Sequence, residues 1–447
     1  MAARPFTRPR QDGKVGGWEE SMSWIFLVLS LVGAALTYNV YRPTYTPARR
    51  AVVSFFLGWL TLELALHHIV VQAAVSMALV AGGALHAWPG KIALLITLGS
   101  WVALARRYWL GRDSADVVER ALQEGLGADY RTKIRPEAVD RFPHHVDWNG
   151  ILRPFPIRHP EVERTKDITF SRARGVNLKL DVYRHRSHPT GCPTLLQVHG
   201  GGWVMGSKNE QGLPLMHHLA ARGWVCVSAD YRLSPHATFP DQLVDLKRAI
   251  QWIREHGAEY GADPDFLVVT GGSAGGHLAS LVALTGNDAR YQPGFENVDT
   301  SIQGCVSFYG VYDFTNRHGV WYHPGLHELL ERQVMKASRE EDPERYEAAS
   351  PIGQLSPDDP PFFVIHGDLD TMVPVGEARL FCETFRRVAR APLVYAEIPG
   401  AQHAFELFPS VRSMSVVHGV ERFLAWLYSE HLNARASAGG ERQSAAG

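Results

Sequence analysis

The stretch Phe266-Leu-Val-Val-Thr-Gly-Gly-Ser-Ala-Gly-Gly-His-Leu-Ala-Ser-Leu-Val-Ala-Leu284 decides the reading of the chain. Its first five residues are apolar or β-branched, as in a buried strand. Its last eight, from His277, read as helix. Between them, Gly271-Gly-Ser-Ala-Gly-Gly276 contains Gly-x-Ser-x-Gly, and strand, tight turn, helix with that motif is the nucleophile-elbow pattern. A serine presented at so sharp a turn needs neighbours that tolerate unusual dihedrals and leave room for a substrate, and glycine does both. The following helix points backbone N–H groups toward any developing negative charge. The plainer alternative is a glycine-rich turn that happens to hold a serine, so the motif takes its weight from the rest of the chain.

Outward from the elbow, strands and helices alternate. Strand patterns occupy 167–172, 177–183, 193–199, 224–229, 302–309, 361–366 and 393–398. Helical periodicity covers 213–222, 241–260, 373–389 and 414–432, with Leu243, Leu246, Ile250 and Ile253 on one face of the second. This alternation predicts an α/β domain over 165–433, a mostly parallel sheet with helices on both faces. The segment 311–349 is too long for a plain connection and reads as a lid insertion. Residues 434–447 are small and polar and read as a disordered tail.

Upstream the composition changes. Residues 1–21 carry Arg4, Arg8, Arg10 and Lys14 without a packing pattern and read as a disordered tail. Residues 22–40 hold no charge and are long enough to cross a bilayer. A cleaved signal peptide is the rival reading. It loses because two more apolar runs follow, 51–74 interrupted only by Glu63 and His67-His68, and 79–105 broken by Pro89-Gly90 and Lys91. The expectation for 22–110 is a transmembrane region of about three helices, near 22–41, 51–72 and 84–105. Two spans plus one surface-lying segment is the alternative. Lys and Arg nearly balance on alternate sides, so charge does not orient the spans. Glu63, His67 and His68 read as structural. From 111 to 164 runs a connecting arm or cap, with helical spacing at Val117, Val118, Leu122 and Leu126.

Net charge is −1 over 447 residues, which gives no electrostatic case for nucleic acid. The cysteines, Cys192, Cys226, Cys305 and Cys382, form no metal-ligand pattern. They read as buried thiols, which leans the large domain toward a reducing, cytoplasmic compartment. No metal and no organic cofactor is expected.

A serine hydroxyl needs a base to take its proton, and the base needs an acid to hold it. Downstream of Ser273, the run Phe362-Phe-Val-Ile-His-Gly-Asp-Leu-Asp370 leads from an apolar strand into an acidic loop. Asp370 and Asp368 compete for the acid; Asp370 is preferred because it lies farther into the loop, leaving Asp368 a turn role. The base is expected to be His403, on a loop between the last strand and the last helix. His366, His277 and the cluster His318, His323 and His327 are rivals without a matching acid or within the lid. Upstream, His199-Gly-Gly-Gly-Trp203 follows a buried strand. Consecutive glycines let the N–H groups of Gly201 and Gly202 turn inward, and with that of Ala274 they would form an oxyanion hole.

Residues 165–432 resemble the α/β-hydrolase family, and within it the hormone-sensitive-lipase-like esterases. The resemblance rests on His199-Gly-Gly-Gly-Trp203, Asp230-Tyr-Arg-Leu-Ser-Pro235, Phe239-Pro240, Gly271-Gly-Ser-Ala-Gly-Gly276, Tyr309-Gly310, His366-Gly-x-x-Asp370 and His403. It implies Ser273 as nucleophile, Asp370 and His403 as its partners, and Gly201, Gly202 and Ala274 as oxyanion donors. Two positions depart from the pattern: Gly272, where many relatives carry Asp or Thr, and Ser234-Pro235-His236, where many carry Ala-Pro-Glu. The wording of 273–279 also resembles arylformamidase-like and feruloyl-esterase-like relatives, and the apolar N-terminal part is similar to membrane-anchored bacterial esterases. The resulting expectation is a multi-pass enzyme of a bacterial cell membrane that cleaves lipophilic carboxylic esters, with membrane lipids around its anchor. An arylformamide hydrolase using the same triad is the alternative, and a non-catalytic membrane scaffold is disfavoured by the intact constellation.

Overall fold

The structure is a computed structural model that describes residues 12–139, 142, 147–155 and 157–445. The chain forms two compact units that interleave in sequence: Met1–Pro43 with Phe56–Leu110, and Thr44–Phe55 with Gly111–Gly447.

The first unit is helical. Helices α1 (Asp12–Tyr41) and α4 (Trp88–Trp109) are long and apolar enough to cross a membrane. Between them α2 (Ala48–Glu63), whose residues up to Phe55 belong to the second unit, and α3 (Ala65–Ala81) form a pair bent by 86°. The expected middle span is therefore a broken helix, which satisfies the span count only if the bent pair counts as one. Helix α1 also begins ten residues before the apolar run, where a tail was expected over 1–21; residues 1–11 of that tail lie outside the described residues. Once the apolar run has nucleated a helix, extension through a proline-free polar flank adds one bond per residue fixed. Short polar side chains join α1 to α4: Ser30 Oγ lies 2.8 Å from Thr97 Oγ1, Thr37 Oγ1 lies 2.7 Å from Ser100 Oγ, and the Tyr41 hydroxyl donates to Ala103 O at 2.8 Å. Such bonds between small side chains hold helices together where burial of apolar surface gives no preference. Glu63 is buried.

The second unit is built on an eight-stranded sheet: β1 (Val162–Ala173), β2 (Val176–His185), β3 (Cys192–Val198), β4 (Val225–Ala229), β5 (Ala262–Gly272), β6 (Gly304–Phe308), β7 (Phe362–Gly367) and β8 (Leu393–Ile398). The spatial order is β1-β2-β4-β3-β5-β6-β7-β8. Only β1 against β2 and β2 against β4 are antiparallel. The expected α/β sheet is thus present. Its parallel strands are continuous apolar runs because both faces are covered. Helices α5 (Asp113–Leu126), α6 (Leu213–Ala220), α7 (Asp241–His256), α8 (Ala274–Leu284), α9 (Val375–Val388) and α10 (Val411–Ala445) belong to the same unit, with shorter helical turns among them. All four cysteines are buried free thiols.

Helix α5 lies against β8 and α10, so the connecting arm contributes a structural helix to this unit. Its stripe of Val118, Ala121, Leu122 and Leu126 is buried. Helix α10 continues to Ala445, through residues read as a tail from 434, because Ala, Glu, Arg and Gln extend a helix already anchored by its core-packed half. Residues 446 and 447 lie outside the described residues. The expected lid at 311–349 is stitched into the core rather than loose: Tyr312, Phe314, Val334, Met335 and Tyr346 are buried. The Glu377 carboxylate of α9 accepts from the N–H groups of Tyr312 and Asp313 and from Trp321 Nε1 at 2.8, 2.9 and 2.7 Å.

Register positions the site. Val198 of β3 pairs with Gly271 of β5, Gly272 with Phe308 of β6, Phe308 with Ile365 of β7, and Gly367 with Ile398 of β8. The loops after β3, β5, β7 and β8 therefore leave the sheet along one edge, and each carries one of the expected site segments.

Candidate active site

Ser273 stands between β5 and α8 with φ 61° and ψ −124°, a strained conformation for a residue with a side chain. The turn exists because glycines surround it. A Cβ on Gly271 would stand 2.7 Å from Val198 O, and one on Gly276 2.7 Å from Phe308 O. The Ser273 N–H donates to Phe308 O at 3.0 Å, and Ser273 O accepts from the His277 N–H at 3.0 Å, starting α8. Ser273 is half-buried while its neighbours on α8 are buried.

The glycine loop after β3 presses on this elbow. A Cβ on Gly200 would lie 2.6 Å from Gly272 O and 3.2 Å from Ser273 Cβ. Gly201 and Gly202 take φ 114° and 60°, open to glycine and strained for other residues. Gly201 O accepts from the N–H groups of Val204 and Met205 at 3.2 and 3.1 Å, and the Gly200 N–H donates to Gln211 Oε1 at 2.6 Å. Among the described residues, none accepts from the backbone N–H groups of Gly201, Gly202 or Ala274. They are the three groups the sequence nominates for an oxyanion.

Asp370 and His403 meet directly. His403 Nδ1 lies 2.6 Å from Asp370 Oδ2, with Asp370 fully buried and His403 nearly so. Asp370 Oδ1 accepts from the Met372 and Val373 N–H groups, both at 2.8 Å. Burial alone would push the Asp370 carboxyl up. The opposing effects of His403 and His366 outweigh it and hold the carboxyl well below the usual carboxylate range. Asp368, expected in a turn role, instead links two loops: its Oδ1 accepts from the Gly400 N–H of the loop after β8 at 2.6 Å.

Two of the rival histidines have partners of their own. His366 Nε2 lies 3.3 Å from Asp370 Oδ2 and 3.0 Å from Val373 O, so it contacts the same carboxylate oxygen as His403. His277 accepts from Trp203 Nε1 at 3.1 Å on Nδ1 and donates from Nε2 to Ala349 O at 2.7 Å. It stacks on Phe314 with ring centroids 4.3 Å apart. Burial pushes its pKa down to about 3, so the ring is neutral and bolts the glycine loop to α8 and the lid.

Tyr309, next after β6, connects the pieces. Its ring centroid is 4.5 Å from that of His403, and its hydroxyl donates to Glu406 Oε1. A Cβ on Gly272, adjoining Ser273, would stand 2.6 Å from the same hydroxyl. Tyr309 thus packs on the His403 ring and fills the space beside Gly272, the residue before Ser273. That explains why position 272 is Gly: a larger side chain would need the same space.

Comparison with known proteins fits this geometry. The BD-FAE family model matches residues 180–385. Probable carboxylic ester hydrolase LipM of Mycobacterium tuberculosis is 41% identical over 409 residues, 90% of this chain and 93% of that protein. The chain belongs to the α/β-hydrolase esterases. Esterase LipQ of the same organism is 40% identical over 73% of this esterase and 78% of its own length. A truncated carbohydrate esterase from gut microbiota shares the fold, with TM-score 0.51, 21% identity, and coverage of 60% of this chain and 99% of that one. The esterase is a carboxylic ester hydrolase.

Three features of this esterase's site lay beyond sequence reasoning. His366 as a second partner of the acid had only its neighbouring position as a signal. Gln402 Oε1 accepts from the Thr371 and His403 N–H groups at 2.8 and 3.0 Å, joining the acid loop to the histidine loop. The third is the segment Thr44–Phe55, whose Phe55 ring sits edge-on to the His403 ring with centroids 5.7 Å apart.

Proposed function

We propose that the esterase is a membrane-anchored serine hydrolase that cleaves lipophilic carboxylic esters through Ser273, His403 and Asp370. The observation that carries this reading is the buried 2.6 Å contact between His403 Nδ1 and Asp370 Oδ2, on the sheet edge that also carries the strained Ser273 elbow. Asp370 fixes the tautomer of His403 with Nδ1–H toward the acid and Nε2 free to act as base, and it stabilises the imidazolium that forms. Ser273 Oγ attacks the ester carbonyl as His403 takes its proton. The N–H groups of Gly201, Gly202 and Ala274 hold the oxyanion; losing one such donor costs about 3–4 kcal/mol in the transition state. His403 gives its proton to the leaving alcohol, then draws one from the water that hydrolyses the acyl-enzyme.

Anchoring is supported by the length and apolarity of α1 and α4. Lipid-soluble substrates would reach such an enzyme by diffusion along the bilayer, with membrane lipids as its surroundings. The names of its relatives favour esters over formamides.

The test compares purified full-length protein with Ser273→Ala on aryl esters of graded acyl length and on aryl formamides. Ester turnover that disappears in the variant is the expected result. Turnover that survives in Ser273→Ala, or formamide cleavage without ester cleavage, sinks the reading.

A further inference from the structure

The segment Thr44–Phe55 separates two apolar helical stretches in sequence, yet it belongs to the unit that carries the site. It closes on itself through the Thr44 N–H, which donates to Ser54 Oγ at 2.8 Å. Ala51, Ser54 and Phe55 are its buried residues, spaced as one face of the first turns of α2, while Val52 and Val53 are exposed. That face meets the site. Thr371 Oγ1, beside the acid, donates to Ala51 O at 3.3 Å. The Phe55 ring packs against His403. The Tyr45 ring meets that of Tyr322 from the lid edge-on at 4.8 Å. Burial, with Tyr322 and the Asp368 and Asp370 carboxylates adding to it, pushes the Tyr45 hydroxyl up to about 12.

Chemistry says which part of a substrate this wall faces. The histidine must hand its proton to the leaving oxygen, so the alcohol portion of the ester lies beside the imidazole. The oxyanion donors lie on the other loop, where a Cβ on Gly202 would stand 3.4 Å from Leu329 of the lid. The group packed on the imidazole therefore borders the alcohol.

We propose that Thr44–Phe55 is the leaving-group wall of the active site, with Phe55 and Tyr45 contacting the alcohol portion of an ester whose alcohol is lipophilic. The proposal rests on the reading of Ser273, His403 and Asp370 as the triad.

Two substrate series test it on the full-length enzyme in detergent. In one the acyl group is fixed as acetyl and the alcohol runs from methyl through butyl to octyl and benzyl. In the other the alcohol is fixed and the acyl group runs from acetyl to decanoyl. Phe55→Ala is expected to lower the octyl-to-methyl ratio of kcat/KM about tenfold, the scale of a lost apolar contact. The decanoyl-to-acetyl ratio should move less than twofold. Phe55→Leu and Tyr45→Leu read the same ratios if the alanine variant folds poorly. An alcohol ratio unmoved in all variants, or a shift confined to the acyl series, overturns the proposal. Ser273→Ala run alongside separates the two readings: activity surviving there removes the triad itself, whatever the Phe55 ratios show.

Discussion

Asp370 accepts two backbone N–H groups and touches two histidines, whereas Asp368, two residues earlier, accepts from the Gly400 N–H on the loop that carries His403. The difference gives opposite expectations for one substitution. Asp370→Asn should lower kcat by about 10³–10⁴-fold, because an amide neither fixes the reactive tautomer nor stabilises the imidazolium. Asp368→Asn should leave kcat within tenfold and lower the thermal midpoint. Ester hydrolysis and a melting curve on both variants read these out. His277 carries a pH dependence. Its folded pKa near 3 lies below the ordinary histidine value of about 6.5, so below that value the unfolded chain binds a proton that the folded chain refuses. Its stabilising contribution is complete above pH 6.5 and declines as pH falls toward 3. In His277→Gln, the slope of unfolding free energy against pH should flatten between pH 6 and 4 by up to about 1.4 kcal/mol per unit, measured by urea titration. Gly272→Ala should destabilise by about 1–3 kcal/mol, since its methyl group would meet the Tyr309 ring and hydroxyl.

At the scale of elements, α5 offers a reversal of an ordinary rule. Gly to Ala inside a helix usually gains up to about 1 kcal/mol. At Gly125 the new Cβ would stand 2.6 Å from Leu393 O and 2.9 Å from Val394 Cα, backbone of β8 that cannot step aside. Gly125→Ala should therefore lower stability, by about 1–3 kcal/mol in chemical denaturation. The elbow strand, its helix and the loop that carries Asp370 were legible in the sequence, because each depends on a local pattern. An apolar run ending in glycines around a serine has few other uses, and Asp370 follows its strand within the same run. The docking of α5 on β8 was not legible. Its amphipathic stripe says that one face is buried but not against what. The lid was legible as an insertion by length alone; its burial comes from Glu377, 28 residues after the last lid residue, and no local pattern links the two. His366 beside Asp370 was hidden for the opposite reason: the two are neighbours in sequence, but whether they meet depends on how the strand end turns.

Across the whole molecule, composition separated an apolar N-terminal region from a large α/β domain, and there it stopped being informative. Residues 44–50 look in sequence like a short link and 51–55 like the start of an apolar span, and nothing in their composition marks them as part of the second unit. The apolar helices carry a direct expectation: the full-length esterase should sediment with membranes, resist alkaline carbonate and come off in detergent. Recovery in the carbonate supernatant would count against anchoring. The interleaving of the two units in sequence has a separate consequence, for where the chain can be divided. A catalytic domain joined to its anchor at one boundary can be cut free, re-fused or exchanged as a cassette. Here no single crossover point does that, because any break that removes the first hundred residues also removes Phe55 from beside His403. A version without the first hundred residues has to graft Thr44–Phe55 back onto the domain to keep Phe55 beside His403.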